Sequence, residues 1–232
     1  MSNFTNANLI LTKHMAIAVE HVDPTWVMEE HNDKWAYILT PSDGQYPETL
    51  SDFSDKLVAL SHKTPVMYYY DQEDHGLGYR LLYQGQMIAV YDLSFEFEDE
   101  LPLRLMEAFK EQFGVERFFD KMEDDPDFFE HQAPLKKRDY LAHVAEQANL
   151  PALKHLELSD EVIQQIEGLM NPLNAPGMDG FLTAHIPNMT EDYQAEYEEY
   201  TGLGWIYLAE QLREVLGLVE FEWISWDYHH NQ

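Results

Sequence analysis

The residues most able to do chemistry are the acidic and histidine side chains between Asp71 and Gly76. Asp71 and Gly76 match the first and sixth positions of an EF-hand calcium loop, which need a carboxylate and a sharp turn. Leu82 stands at the twelfth position, however, where such a loop requires a bidentate glutamate. The flanking residues are also typical of strands and not of helices. We therefore predict no metal site, and the candidate ligands, should an ion bind, are Asp71, Asp74 and His75.

Motifs for the common catalytic and nucleotide-binding chemistries are missing from the sequence. The chain has no cysteine, no H-E-x-x-H pair and no serine in a G-x-S-x-G context. Two Gly-x-Gly pairs, at residues 76–78 and 202–204, lack the third glycine of a dinucleotide-binding loop. We therefore predict no catalytic residue and no cofactor. The alternative is an enzyme with a carboxylate- and histidine-lined site around Asp71, Glu73, Asp74 and His75, with or without a metal ion.

Charge is the strongest functional signal in the chain. Lysine and arginine number 14 against 43 aspartate and glutamate residues, which gives a formal net charge of -29. Binding to nucleic-acid phosphates needs a basic surface, so we predict no direct nucleic-acid binding. Anionic lipid headgroups would repel the chain in the same way. The excess of acid favours a basic protein partner instead, which would associate quickly and in a salt-sensitive manner.

The acidic residues concentrate in two parts of the chain. Residues 92–130 hold 14 acidic and four basic residues, and residues 156–232 hold 15 acidic residues and one basic residue. Charge runs are usually solvated surface, and that explanation stays open beside an acidic docking face. The predicted partner-binding residues are Glu96, Glu98, Asp99, Glu100, Glu123, Asp124, Asp125, Asp127 and Trp226.

These features predict an acidic protein that works by protein–protein interaction, as an immunity-type neutralising protein or another inhibitory binder of a basic partner. A nucleic-acid mimic is an alternative, in which the carboxylates of residues 96–130 would occupy the DNA-binding groove of another protein. The absence of cysteine fits a reducing cytoplasm. No signal-peptide pattern and no run of 18 apolar residues occurs, so we expect no membrane association. The sequence carries no signal for the oligomeric state.

Hydrophobic patterning predicts an α+β fold, with an N-terminal antiparallel β-meander flanked by helices and a mostly helical C-terminal half that ends in a strand. The meander comprises strand-like runs at residues 65–70, 77–83 and 86–97, separated by turn-forming residues. A short strand is also predicted at residues 35–40. Residues 9–19 are compatible with a strand or a helix, and we favour the strand. Within the first run, Tyr68 and Tyr70 should share one face of the sheet, opposite Tyr69.

Apolar residues at helical spacing predict helices over residues 51–62, 101–113, 136–149, 159–170 and 201–216. The alternating sequence VEFEW within residues 219–228 predicts the terminal strand. An acidic, proline-bounded segment at residues 122–134 suggests a linker. We accordingly predict an α+β lobe over residues 1–125 and a mainly helical lobe over residues 134–232, with one continuous domain as the alternative.

Overall fold

A single antiparallel sheet organises the N-terminal half of the chain. The computed structural model describes residues 4–41, 46–72, 75–94, 97–129, 146–170 and 209–230. The strands are β1 (Thr5–Leu11), β2 (Val27–Glu30), β3 (Trp35–Leu39), β4 (Val66–Gln72), β5 (Gly76–Tyr83) and β6 (Gln86–Ser94). Their order in the sheet is β2-β3-β1-β4-β5-β6, and every neighbouring pair is antiparallel. The α+β class is confirmed, and β4, β5 and β6 are the predicted meander.

Helices lie between and after the strands. They are α1 (Met15–Val19), α2 (Asp55–Ser61), α3 (Phe97–Phe113), α4 (Val115–Asp124), α5 (Asp160–Met170), α6 (residues 209–216) and α7 (Trp226–His230). Short 3-10 turns occupy Thr12–His14, Leu50–Asp52 and Leu150–Leu156. The helices predicted at 51–62, 101–113 and 159–170 are confirmed with shifted ends. Most of the helix predicted at 136–149, and residues 201–208 of another, lie outside the described residues.

Two of the strand predictions need correction. The segment 9–19 is a strand only as far as Leu11, and a helix begins at Met15. The predicted C-terminal strand is wrong, because residues 217–225 are irregular and α7 follows them. Glu220 and Trp223 have φ values of 66° and 59°, which a strand does not allow. Of the alternating apolar residues in this segment, Phe221 is the one that turns inward, and it is completely buried.

The inner face of the sheet carries the larger hydrophobic core. Strand residues such as Leu9, Met67 and Leu81 pack there with residues of the C-terminal half, including Leu212 and Phe221. The indole Nε1 of Trp35 donates a 2.7 Å hydrogen bond to the Leu216 carbonyl and ties α6 to the sheet. Both predicted lobes therefore contribute to one core, and the segment predicted as a linker begins within α4. The division into lobes stays a prediction.

The outer face of the sheet changes from apolar to polar along its strands. Ile10, Val66 and Leu82 pack in a second core beneath α2. The next outward-facing row across the sheet contains Asn8, Tyr68 and Arg80, which are neighbours in register. The row after that contains Asn6, Tyr70, Gly78 and Asp92. Tyr68 and Tyr70 do share this face, and Tyr69 lies in the inner core, as predicted. Beyond α2, the sheet thus presents amides, phenols and charges.

Candidate binding cleft on the outer face of the sheet

A cleft of about 1080 Å³ opens where α2 stops covering the outer face. Its floor is formed by β1 and β4, and its walls include the segment from Tyr46 to Ser54, which leads into α2. That segment holds its shape because a 3-10 turn begins at Leu50 and Ser54 caps α2 by accepting a hydrogen bond from the Leu57 N–H. The cleft is therefore a concavity built by a rigid sheet and a well-capped connection.

One residue at the floor of the cleft has a buried amide oxygen without a partner among the described residues. Asn8 is only 3% exposed, and its Nδ2 donates a 3.3 Å hydrogen bond to the Ile38 carbonyl. Its Oδ1 accepts no hydrogen bond from any residue that the structure describes. Leaving a buried acceptor unpaired costs about 1–3 kcal/mol. Asn8 is one of the residues that line the cleft.

Aromatic side chains form much of the cleft wall. Phe53 and Tyr68 pack edge to face with ring centroids 6.1 Å apart, and Trp26 also lines the cleft. Tyr46 leans on Tyr70, whose ring centroid is 4.7 Å away. Burial raises the pKa of Tyr46 and of Tyr68 above the ordinary value. Their hydroxyls therefore stay protonated at neutral pH and offer both a donor and an acceptor.

Two carboxylates complete the lining, Glu48 and Asp52. The Oδ2 of Asp52 accepts hydrogen bonds from the Thr49 N–H at 2.7 Å, the Thr49 hydroxyl at 3.0 Å and the Glu48 N–H at 3.0 Å. The bond from the Thr49 N–H contributes most, and together these bonds lower the pKa of Asp52. The Asp52 carboxylate is therefore ionised at neutral pH. Its Oδ1 and the Glu48 carboxylate form no ion pair with described residues. No lysine, arginine or histidine occurs among the described residues that line the cleft.

An ion pair between the buried Arg80 and the half-exposed Asp92 supports the cleft. Arg80 is 4% exposed, and its Nη2 lies 2.8 Å from Oδ2 of Asp92 in a two-pronged contact. Its Nε donates a 2.9 Å hydrogen bond to the Pro47 carbonyl, which fixes the wall segment to the sheet. The Tyr70 hydroxyl donates to Asp92 at 2.7 Å. Since Asp92 balances the charge of Arg80, the cleft keeps the negative character of its own carboxylates.

The predicted acidic docking residues are only partly described. Asp125 is half-buried and Glu123, Asp124 and Asp127 are exposed, all at the C-terminal end of α4 or just beyond it. None of the four forms an ion pair with a described residue. Glu96 and the side chains of Glu98, Asp99 and Glu100 lie outside the described residues.

The predicted aromatic contact, Trp226, lies on a different element from these acids. It is half-buried, packs against the inner core and lies 3.9 Å from His230 between ring centroids. Trp223, which the prediction did not name, is the more exposed residue at 43%. The structure therefore groups the α4 carboxylates and places Trp226 with the C-terminal cover of the sheet.

The described residues of the enzyme and metal hypotheses, Asp71 and His75, are not among those that line the cleft. Asp71 is 5% exposed, and its Oδ2 lies 3.7 Å from Nε of Arg213 on the inner side of the sheet. His75 stacks on Phe4 with ring centroids 6.4 Å apart. Glu73 and Asp74 lie outside the described residues. Within the described ranges, no group of three or more histidine, aspartate or glutamate side chains is placed to hold a metal ion.

The cleft was not predicted, although β1 carried a usable signal. Its sequence TNANLIL places Asn6 and Asn8 at alternate positions between apolar residues. Asparagine is depleted in strands, so two amides on one face of an otherwise apolar strand indicate a polar floor. Glu48 and Asp52 belong to an irregular connection, whose residues carry no periodic pattern.

Comparisons with protein-family models, with curated proteins and with solved structures found no match for this chain. Over the residues that the structure describes, no helix combines the length and apolar character needed to cross a bilayer. Its function must therefore be inferred from the chemistry of the cleft and from the charge of the chain.

Proposed function

We propose that this protein binds a basic protein partner and that the cleft holds a cationic side chain of that partner. The observation that carries the proposal is the composition of the cleft lining. Two carboxylates, Glu48 and Asp52, stand beside aromatic walls and the unpaired amide oxygen of Asn8. A concave, partly apolar site with a few convergent polar groups is the usual form of a binding pocket.

The charge of the whole chain supports the same partner. A net charge of -29 attracts a basic protein over distances of about a Debye length, roughly 8–10 Å at physiological salt. The exposed carboxylates Glu123, Asp124 and Asp127 add to this attraction, because no described basic side chain neutralises them. Such complementarity mainly raises the association rate and suppresses wrong partners. In its finer form the proposal is a neutralising or inhibitory protein, which blocks its partner by covering the partner's basic surface.

A pull-down with matched charge variants tests the proposal. The baits are the tagged wild type, a Glu48→Gln/Asp52→Asn variant, and a Asp160→Asn/Glu161→Gln control. The control removes the same charge from two exposed positions in the first turn of α5. We expect the wild type and the control to retain one basic protein at low salt, and the cleft variant to retain much less of it.

The purified partner then allows a quantitative check. We expect its dissociation constant to rise at least about tenfold between low and high salt, because screening weakens charge attraction. Equal capture by all three baits, or an affinity that salt does not change, would contradict the proposal. If the role is inhibitory, the partner's own activity must fall when this protein is added in stoichiometric amounts.

A further inference from the structure

We infer that the group bound in the cleft is the guanidinium of an arginine side chain. This inference rests on the proposed function, and it names the partner's chemistry at the same site. Four features of the cleft point to it: a deep acceptor without a described partner, flat aromatic walls, two carboxylates, and no described basic side chain in the lining.

The deep acceptor is the first reason. Asn8 lies at the floor and its Oδ1 has no partner among the described residues, so a turn of this side chain would bring the oxygen to a donor from the ligand. A guanidinium carries five N–H donors and no acceptor, so every polar atom that it brings can serve the oxygens of this cleft. A carboxylate or phosphate ligand would instead bring only acceptors to a site that already has an excess of them.

The aromatic walls are the second reason. Phe53, Tyr68 and Trp26 give the cleft flat apolar surfaces beside its polar floor. A guanidinium is planar, delocalised and weakly hydrated, so it stacks on aromatic rings while its edge donates hydrogen bonds. An ammonium group is compact and strongly hydrated, and it gives up more hydration in such a site.

The carboxylates are the third reason. Asp52 is ionised, and its Oδ1 is not used by the hydrogen bonds that fix the residue. Glu48 is exposed beside it, so the cleft offers acceptors both at its floor and near its mouth. Charge-assisted bonds from a guanidinium to carboxylates are shorter and roughly twice as strong as neutral ones. A neutral ligand such as a sugar could pair with Asn8 but would gain nothing comparable from these charges.

Titration of the full chain with small probes tests the inference. The ¹⁵N-labelled protein is titrated with N-acetyl-arginine amide, N-acetyl-lysine amide and N-acetyl-citrulline amide, which has the shape of arginine without its charge. We expect the arginine probe to shift the side-chain amide signal of Asn8 and the indole signal of Trp26. The lysine and citrulline probes should bind at least about tenfold more weakly.

Variants assign the binding to the cleft. Asn8→Leu removes the deep acceptor and should weaken the arginine probe at least about tenfold, and Glu48→Gln should weaken it by a smaller factor. The control is Gln164→Leu, an equivalent change at an exposed position of α5. If Asn8→Leu does not fold, the inference is still tested by comparing the three probes on the wild type and on Glu48→Gln. Equal binding of arginine with lysine or citrulline, no binding, or shifts confined to residues outside the cleft would overturn the inference.

The outcome also separates this inference from the proposed function. A basic partner that is lost from the Glu48→Gln/Asp52→Asn bait, together with no preference for the arginine probe, overturns the guanidinium and leaves the proposed function standing. If the cleft binds the arginine probe selectively but no basic protein partner is found, the guanidinium inference is supported and the proposed protein partner is contradicted.

Discussion

Replacing Asn8 with leucine should stabilise the fold while it removes the proposed binding function. Asn8 occupies a central strand, is 3% exposed and leaves its Oδ1 without a partner among the described residues. Leucine has the same number of side-chain heavy atoms as asparagine, and the register neighbour Ile38 is apolar. A site that binds a ligand through an unpaired buried group is kept at a cost in stability.

The size of the effect follows from three contributions. The variant loses the 3.3 Å hydrogen bond from Asn8 Nδ2 to the Ile38 carbonyl, about 0.5–1.5 kcal/mol. It removes the unpaired acceptor, which costs the wild type about 1–3 kcal/mol. Leucine also fits a strand better than asparagine, on a scale that spans about 1 kcal/mol. The free energy of unfolding should therefore rise by about 1–2 kcal/mol, and Tm by about 2–8 °C for a chain of this size.

Urea denaturation of the wild type, Asn8→Leu and Asn8→Ala measures this effect. Asn8→Ala also removes the acceptor, but it leaves a cavity and should be less stable than Asn8→Leu by about 2–5 kcal/mol. A lower free energy of unfolding for Asn8→Leu than for the wild type would refute the reasoning. It would mean that Oδ1 already has a partner in solution, as a bridging water would provide.

Two further substitutions test the support of the cleft. Arg80→Met should lower the free energy of unfolding by about 1–3 kcal/mol, because it removes the donor to the buried Pro47 carbonyl. Asp92→Asn should cost less, because the Asp92 side chain is 40% exposed. A loss below about 1 kcal/mol for Arg80→Met in urea would contradict this role. Asp52→Asn tests the pH dependence. The folded pKa of Asp52 lies below its ordinary value of 3.8, so its stabilisation is complete above that pH and is lost as the pH falls below it. Unfolding measured from about pH 5 to about pH 2 should thus show a shallower loss of stability for Asp52→Asn, and parallel curves would show that Asp52 does not contribute.

The central part of the fold could be predicted because local signals and tertiary packing agree there. The runs that became β4, β5 and β6 are rich in tyrosine, valine and leucine, and Gly85 stands in the turn between the last two with φ of 73°. The alternation of Tyr68, Tyr69 and Tyr70 also assigned the two faces correctly. Each residue there has the side-chain type that its position requires.

The C-terminal strand was mispredicted because alternation has more than one cause. Val219, Phe221 and Trp223 repeat every second residue, but only Phe221 is buried, while Val219 is 59% and Trp223 43% exposed. The chain turns at Glu220 and Trp223 with positive φ, so it inserts a single ring into the inner core. Burial of the Phe221 ring in the inner core therefore outweighs the strand preference of the segment.

The cleft was missed for a different physical reason. Its floor residues are on β1, whereas Glu48 and Asp52 lie some 40 residues later in an irregular connection. The pairing of β1 with β4, and the bond from Arg80 to the Pro47 carbonyl, bring these parts together. Such long-range contacts leave no periodic trace in the sequence. The partner-binding residues were predicted in the acidic segments instead, because charge can be counted without knowledge of the fold.

The shared inner core has a consequence for synthesis on the ribosome. All six strands have been made by Ser94, but Leu212 and Phe221, which cover their inner face, follow roughly 120 residues later. At about 5–20 residues per second, the nascent sheet waits about 6–24 s for this cover. During that interval Tyr69, whose ring packs against Phe221 in the finished fold, lacks this cover. The yield of native protein in cells should therefore depend on chaperones that shield nascent chains, and on the speed of translation over the C-terminal half.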